Sequence, residues 1–129
     1  MKLIEVSDLQ KHFAMGNQTI KAIKQMSFSI NQGEFISIMG PSGSGKTTLM
    51  NIIGCLDSPT SGSYSLDNNE VASLTDDELA EIRNKKIGFV FQSFHLLARN
   101  TALQNVLLPL SYAGFDKKSA IKKAKLALS

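Results

Sequence analysis

A short glycine-rich segment has the residue types and the spacing of a phosphate-binding loop. Residues 40–47 fit the pattern of glycine, four residues, glycine, lysine, and serine or threonine, with fixed positions Gly40, Gly45, Lys46 and Thr47. Glycines let such a loop turn its N–H groups toward an anion without Cβ clashes. The lysine adds a positive charge, and the threonine hydroxyl is a Mg²⁺ ligand in such loops. The pattern predicts a nucleoside triphosphate site.

The elements predicted on either side of the loop would position it for that chemistry. Residues 35–39 form an apolar run typical of a buried strand, and residues 49–56 carry apolar side chains at helical spacing. A helix that begins at the loop presents unpaired N–H groups and about +0.5 of an elementary charge to a phosphate. An ordinary glycine- and serine-rich loop between two core elements is the simpler alternative, and the order strand, loop, helix argues against it.

The composition favours one globular domain. The chain has 129 residues, 43% of them hydrophobic and 19% charged, which is enough for a core and too apolar for general disorder. The net charge of +3 is concentrated in a lysine-rich segment from residue 117, more typical of a solvated helix face than of a nucleic-acid site. The single cysteine, Cys55, favours neither a disulfide framework nor a metal cluster. Neither a signal peptide nor a membrane-spanning run is visible, so we expect a cytosolic chain.

Alternation of apolar and polar residues predicts an antiparallel β portion around the loop and its helix. The predicted strands are residues 3–6, 20–23, 26–30, 63–66 and 70–71. A second buried strand is expected at residues 87–91, directly before Gln92.

Capping boxes and helical spacing predict three more helices. Thr75 with Glu78 and Thr101 with Gln104 have the spacing of capping boxes, in which two helix-end N–H groups are satisfied reciprocally. Pro109 should end or kink the helix that follows the second box. The lysine-rich C-terminal helix has its apolar face at Ile121, Ala124 and Leu128.

Taken in order, these motifs resemble the ATP-binding-cassette (ABC) family of transporter ATPases, most closely its macrolide-export and lipoprotein-release branch. The matching segments are residues 33–46, 49–57 and 87–92, and residues 100–114 are also similar. The resemblance implies an α/β fold with an incomplete P-loop NTPase core, an N-terminal antiparallel β portion and the start of a helical subdomain. Residues 1–129 are accordingly interpreted as a truncated nucleotide-binding domain, divided into the P-loop core with its antiparallel β portion (1–91) and the Q-loop with the start of the helical subdomain (92–129).

The resemblance also implies a role for each site residue. Phe13 matches the aromatic residue, usually tyrosine, that stacks on adenine, and phenylalanine keeps the stacking face. Gln92 matches the Q-loop glutamine, whose neutral amide contacts Mg²⁺ and the attacking water without repelling phosphate. Lys46 and Gln92 are the predicted catalytic residues, and Thr47 and Gln92 the predicted Mg²⁺ contacts. The predicted ATP contacts are Phe13, Gly40, Pro41, Ser42, Gly43, Ser44, Gly45, Lys46, Thr47 and Thr48.

The implied function is ATP binding and hydrolysis that drives export or lipoprotein release through a membrane permease. ATP and Mg²⁺ are the expected cofactors. The expected partners are an integral membrane permease and a second ATPase subunit, and no nucleic acid is expected. We expect the protein to be cytoplasmic and peripheral on the cytoplasmic face of the cell membrane. Residues 92–110 are the predicted permease contact, although the apolar Phe94, Leu96 and Leu97 within them fit packing into a helical subdomain equally well.

Other motifs of the family do not occur in these 129 residues. They are the leucine-serine-glycine-glycine-glutamine signature, the catalytic glutamate and the switch histidine. The chain therefore looks like a fragment, and we expect it to bind MgATP weakly and to hydrolyse very little alone. The alternatives are a non-catalytic nucleotide-binding remnant and a soluble ABC ATPase that acts on nucleic acid. A P-loop kinase or GTPase would need a lid with an acceptor site, or a guanine-specific motif, and neither is visible.

Overall fold

Two long antiparallel strands dominate the first half of the chain. In the computed structural model, which describes residues 1–129, β1 (Lys2–Met15) pairs with β2 (Gln18–Asn31) through a tight turn at Gly16. Gly16 has a φ of 61°, a left-handed conformation that a two-residue hairpin turn requires. The strands predicted at 20–23 and 26–30 are thus one continuous strand. Their apolar residues alternate with polar ones because only one face of the hairpin is buried.

The other edge of β1 is also paired, which confirms the predicted antiparallel β portion. Strand β3 (Ser61–Leu66) pairs with β1, and the short β4 (Asn69–Glu70) pairs with β3. The sheet has four strands in the order β2-β1-β3-β4. Helix α1 (Lys46–Ile53) contacts this sheet, as the apolar spacing of its sequence predicted. The largest buried side chains of sheet and helix are Val6, Leu9, Ile23, Leu49, Ile52, Tyr64 and Leu66.

Tyr64 fixes the C-terminal end of α1 to the sheet. Its hydroxyl donates a hydrogen bond to the carbonyl oxygen of Ile53, the last residue of the helix, over 2.7 Å. The side chain is 1% exposed, and this burial raises the pKa of Tyr64 well above its ordinary value. The bond satisfies one of the carbonyl groups that a helix end leaves without an intrahelical partner.

The prediction of two buried strands is wrong for this structure. Residues 35–39 and 87–91 have no regular secondary structure and take part in no strand pairing. Phe35, Met39 and Val90 are almost fully exposed. An apolar run becomes a buried strand only when strands on both sides supply its hydrogen bonds, and the four-stranded sheet does not reach these segments. The sequence pattern shows that the run is apolar, but it does not show whether a neighbouring strand is present to pair with it.

The chain divides into two compact units, Met1–Ala80 and Glu81–Ser129. This boundary lies before the one predicted after residue 91, and the functional division at 91 stays a prediction. Helix α2 (Asp76–Lys86) spans the boundary, and α3 (Ala102–Tyr112) and α4 (Lys117–Leu128) belong to the second unit. None of the helices α1 to α4 combines the length and the apolar character needed to cross a membrane.

Both predicted capping boxes are confirmed. The Thr75 N–H donates to a carboxylate oxygen of Glu78 over 2.8 Å, and the Glu78 N–H donates to the Thr75 hydroxyl over 3.3 Å. The bond from the Thr75 N–H and a second one from the Thr75 hydroxyl over 3.0 Å favour the charged carboxylate and lower the pKa of Glu78. Thr101 and Gln104 make the same pair of bonds at 2.8 and 3.1 Å.

Two details of the last helices differ from the predictions. Helix α3 continues past Pro109 to Tyr112, and the Pro109 carbonyl accepts a hydrogen bond from Ala113 over 3.0 Å. Proline has no N–H, so the helix loses one backbone hydrogen bond at Pro109. Because only about one turn of the helix follows, the loss does not end the helix there. The buried side of α4 is formed by Ala120 and Ala124, whereas Leu128 is exposed. Helices α3 and α4 contact each other, and small side chains such as alanine allow neighbouring helices to approach closely.

Replacing Tyr64 by phenylalanine is expected to lower the free energy of unfolding by about 1 kcal/mol. The ring packing is kept, while the Ile53 carbonyl loses its donor. Urea denaturation followed by circular dichroism measures the difference. The exposed Tyr112 provides the control, since Tyr112→Phe should leave stability unchanged. Equal denaturation midpoints for the two variants would contradict a role for the Tyr64 hydroxyl.

Candidate phosphate-binding site

The loop between residues 40 and 45 ends in a left-handed glycine directly before α1. Gly43 and Gly45 have φ values of 82° and 91°, which side chains with a Cβ atom rarely adopt. Gly45 is the N-cap of α1, and no side chain caps this helix end. The N–H groups of the first turn, beginning at Lys46, are therefore available to an external acceptor. This is the backbone geometry that binds anions at helix N-termini.

Strand β2 passes directly behind the loop at Gly45. A Cβ atom on Gly45 would lie 2.5 Å from the carbonyl oxygen of Ala22, closer than real Cβ atoms approach backbone. The loop thus rests on the backbone of β2, which sets its position relative to the hairpin. Gly43, in contrast, has no heavy atom within 4 Å of a hypothetical Cβ, so only its positive φ selects for glycine.

Lys46 holds its ammonium group over the loop. Its Nζ atom donates hydrogen bonds to the carbonyl oxygens of Gly40 and Pro41, the latter over 3.1 Å. A lysine ammonium has three donors, so at least one remains for a ligand. These neutral acceptors keep the charge at the loop, where a phosphate oxygen would be a stronger acceptor.

Two adjoining cavities flank the loop. The first has a volume of about 430 Å³ and the second about 390 Å³, within the range of small-molecule sites. The loop and β2 line both cavities. The lining residues of the first are Ile20, Lys21, Ala22, Ser42, Gly43, Gly45, Lys46, Thr47 and Thr48. Ser44, Gly45 and Lys46, together with Ile38, Met39 and Leu49, contribute to the second.

The pairing of β1 with β2 places Phe13 opposite a residue that lines the first cavity. Phe13 is the register partner of Ile20, which lines that cavity. The Phe13 ring is 40% exposed, and the ammonium of Lys11 lies over it at 5.1 Å from the centroid. The hairpin therefore carries the predicted aromatic residue on β1, opposite the part of β2 that lines the cavity.

Lys21 and Ala22 line the cavity but were not predicted from the sequence. Lys21 contributes a second cationic side chain, and Ala22 contributes the carbonyl that abuts Gly45. The glycine at position 16 could have identified them, because it indicates a hairpin turn. Counting outward from that turn places residues 20–22 opposite the strand that carries Phe13.

Gln92 belongs to the second unit, whereas the phosphate loop belongs to the first. It is exposed in an irregular segment after residues 87–91. The preceding Phe91 stacks on Phe89, with ring centroids 5.4 Å apart, and contacts His95 at 4.3 Å. These ring contacts involve the residue directly before Gln92. The predicted approach of Gln92 to the phosphate loop stays a prediction.

The donor set of the loop fits a Mg²⁺ ion that binds together with phosphate. No group of three His, Cys, Asp or Glu side chains is placed to hold a metal. The Thr47 hydroxyl is a hard oxygen donor in the first turn of α1 and lines the first cavity. Mg²⁺ commonly takes only one or two protein ligands and completes its shell with water and substrate phosphate.

Gly45→Ala is expected to disrupt the loop more than Gly43→Ala. The first change combines a positive φ with a collision against β2, whereas the second has the positive φ alone. We expect a loss of thermal stability equivalent to about 1 to 3 kcal/mol for Gly45→Ala and a smaller one for Gly43→Ala. Binding of inorganic tripolyphosphate, measured by calorimetry, should be lost only in Gly45→Ala. Identical behaviour of the two variants would show that the contact with Ala22 is unimportant.

The chain is similar in sequence to ATP-binding proteins of ABC transporters. The family model described as ABC transporter matches residues 23–128. The chain is 51% identical over 126 residues to the ABC transporter ATP-binding protein YknY of Bacillus subtilis (strain 168), covering 98% of this chain and 55% of YknY. It is 53% identical over 114 residues to the macrolide export ATP-binding/permease protein MacB of Syntrophobacter fumaroxidans, covering 88% of this chain and 16% of MacB.

A solved structure is similar in sequence and in fold. It is the dimeric, post-hydrolysis state of the ATP-binding cassette MJ0796 of Methanocaldococcus jannaschii, bound to ADP and Pi. The TM-score is 0.86 at 47% identity, and the match covers 97% of this chain and 55% of MJ0796. The predicted fold class is thereby confirmed. The chain spans about half the length of YknY and of MJ0796.

Proposed function

The chain belongs to the ABC transporter family, and we propose that its phosphate loop binds ATP for an ATPase that drives transport through a membrane permease. The observation that carries this proposal is the loop itself. A left-handed glycine, an uncapped helix start and a lysine ammonium converge at one cavity beside β2. The family relation and the loop geometry point to the same ligand chemistry, a polyphosphate.

The proposed binding mode assigns the phosphates to residues 40–48. The N–H groups at the start of α1 donate to the phosphate oxygens, and the helix dipole favours their negative charge. Lys46 moves its hydrogen bonds from the Gly40 and Pro41 carbonyls to the β- and γ-phosphates. The exchange is favourable because an ammonium binds an anionic phosphate oxygen more strongly than a neutral carbonyl oxygen.

The proposed adenine contact is Phe13. It lies on β1, opposite Ile20 of the strand that supports the loop, and Ile20 lines the cavity. A base and a phenyl ring gain from offset stacking without a need for the tyrosine hydroxyl.

For hydrolysis, we propose an in-line attack of water on the γ-phosphate, which breaks the bond between the γ-phosphorus and the bridging oxygen, so that ADP and inorganic phosphate leave and the proton passes to solvent. Lys46 and the loop N–H groups stabilise the charge on the transferred group, and Gln92 orients the water. Thr47 would hold Mg²⁺, which when bound neutralises charge on the β- and γ-phosphates. The proposed partners are a second ATPase subunit and a permease. The dimer of MJ0796 bound to ADP and Pi and the ATP-binding/permease name of MacB support them.

We place the proposed permease contact in residues 92–110, on the cytoplasmic face of the membrane. Phe94, Leu96 and Leu97 are exposed there. The Asn105 side chain fixes the backbone of this segment, because it accepts from the Leu97 N–H over 2.9 Å and donates to the Thr101 carbonyl over 2.9 Å. A loop held in one shape with apolar side chains outside suits docking to another protein.

Lys46→Ala is expected to abolish measurable ATP binding. The variant removes the one charged side chain that is hydrogen-bonded to the loop backbone. Isothermal titration calorimetry with MgATP measures the effect. Lys122→Ala, an exposed lysine of α4, is the control with the same loss of charge and should bind as the unmodified chain does. Unchanged affinity in Lys46→Ala would refute the assignment of the loop.

Phe13→Ala is expected to weaken ATP binding by about 1 kcal/mol, the scale of one aromatic stacking contact. Phe13→Tyr should retain the affinity because it keeps the ring face. Calorimetry with inorganic tripolyphosphate serves as the control, since that ligand has no base and should not respond to either change. The adenine contact is elsewhere if ATP affinity is the same in all three proteins.

A further inference from the structure

Lys11 makes a set of contacts that the phosphate site does not explain. Its ammonium donates to a carboxylate oxygen of Asp57 over 3.2 Å and to the carbonyl oxygen of Ser58 over 2.7 Å. It also lies over the Phe13 ring. The Lys11 side chain is only 14% exposed, whereas the lysines of the other two ion pairs, Lys2 and Lys85, are largely in solvent. An ion pair shielded from water holds its geometry more strongly than an exposed one.

Asp57 is in turn fixed to the phosphate-loop helix. The N–H groups of Leu56 and Asp57 both donate to the carbonyl oxygen of Asn51 in α1, at 2.8 and 3.2 Å. The same carboxylate oxygen that binds Lys11 accepts the Ser58 N–H over 2.8 Å. The position of Asp57 therefore follows from the position of α1, whose N-terminus forms the phosphate site.

We propose that Lys11 is a positioning residue that orients the Phe13 ring for the base of the nucleotide. This inference rests on the proposed function, because it assumes that Phe13 stacks on adenine. The chain of contacts runs from the phosphate loop through α1 to Asp57, then to Lys11, and ends at the ring. Lys11 covers the ring by a cation–π contact and thereby sets its orientation relative to the phosphates.

A purely structural role would be to hold residues 57–60 against β1. Other bonds already do so. The His12 N–H donates to the Thr60 hydroxyl over 2.9 Å, and the Thr60 N–H donates to the Gln10 carbonyl over 2.8 Å. The segment remains attached without Lys11, whereas the Phe13 ring has no other charged group over it.

The test compares ligands with and without a base. In Lys11→Met, the affinity for MgATP should fall about threefold to tenfold, the scale of one aromatic or cation–π contact. The affinity for inorganic tripolyphosphate should not change. Asp57→Asn, which keeps the lysine and weakens its anchor, should shift ATP affinity in the same direction by less. Lys11→Arg should retain ATP affinity, because a guanidinium also pairs with carboxylate and stacks on the ring.

A double-mutant cycle decides whether Lys11 acts through Phe13. If it does, Lys11→Met causes no further loss of ATP affinity in a Phe13→Ala background. Equal weakening of ATP and tripolyphosphate would indicate a general loss of structure and would overturn the proposal. So would additive losses in the cycle, or unchanged ATP affinity in Lys11→Met. If the unmodified chain binds tripolyphosphate but none of these substitutions changes ATP affinity, the base-orienting role alone is refuted. If the unmodified chain binds neither MgATP nor tripolyphosphate, the proposed function is refuted.

Discussion

The close contact between the phosphate loop and the backbone of β2 is the constraint on which the site depends. Only glycine fits at position 45, because the Ala22 carbonyl occupies the space of a side chain and the φ angle is positive. This contact joins the phosphate loop to the hairpin, two parts of the chain that are distant in sequence. The loop supplies N–H groups and a cation, and the hairpin supplies an aromatic ring. Without this contact, the helix start would not be held against the strand that pairs with the one carrying Phe13.

The local parts of this arrangement follow from sequence, and the non-local parts do not. The glycine-rich loop, the helix after it, both capping boxes and the apolar–polar alternation of β2 each depend on residues a few positions apart, so their patterns predicted them well. The strands expected at 35–39 and 87–91 failed because a buried strand depends on partners that no local pattern reports. The ion pair of Lys11 with Asp57 was missed for the same reason, since 46 residues separate its members.

The site residues illustrate the same division. Lys46 and the loop glycines were identified by spacing alone. Phe13 was assigned by resemblance, and its place opposite a residue that lines the cavity depends on a hairpin register that the turn at Gly16 sets. The carbonyls that hold the Lys46 ammonium are visible only in three dimensions. These carbonyl oxygens replace part of the water around the Lys46 ammonium. When a phosphate binds, the ammonium therefore exchanges existing hydrogen bonds for stronger ones instead of forming all of them anew.

The exposed runs at 35–39 and 87–91 have a consequence for the behaviour of the chain in solution. Each lies outside the sheet and has exposed apolar side chains such as Phe35 and Val90, and neither contains the charges or prolines that protect natural sheet edges. Such segments are templates for strand addition between molecules. Colloidal stability of this polypeptide should therefore be concentration-dependent, with self-association beginning at these two runs rather than at the lysine-covered surface of α4.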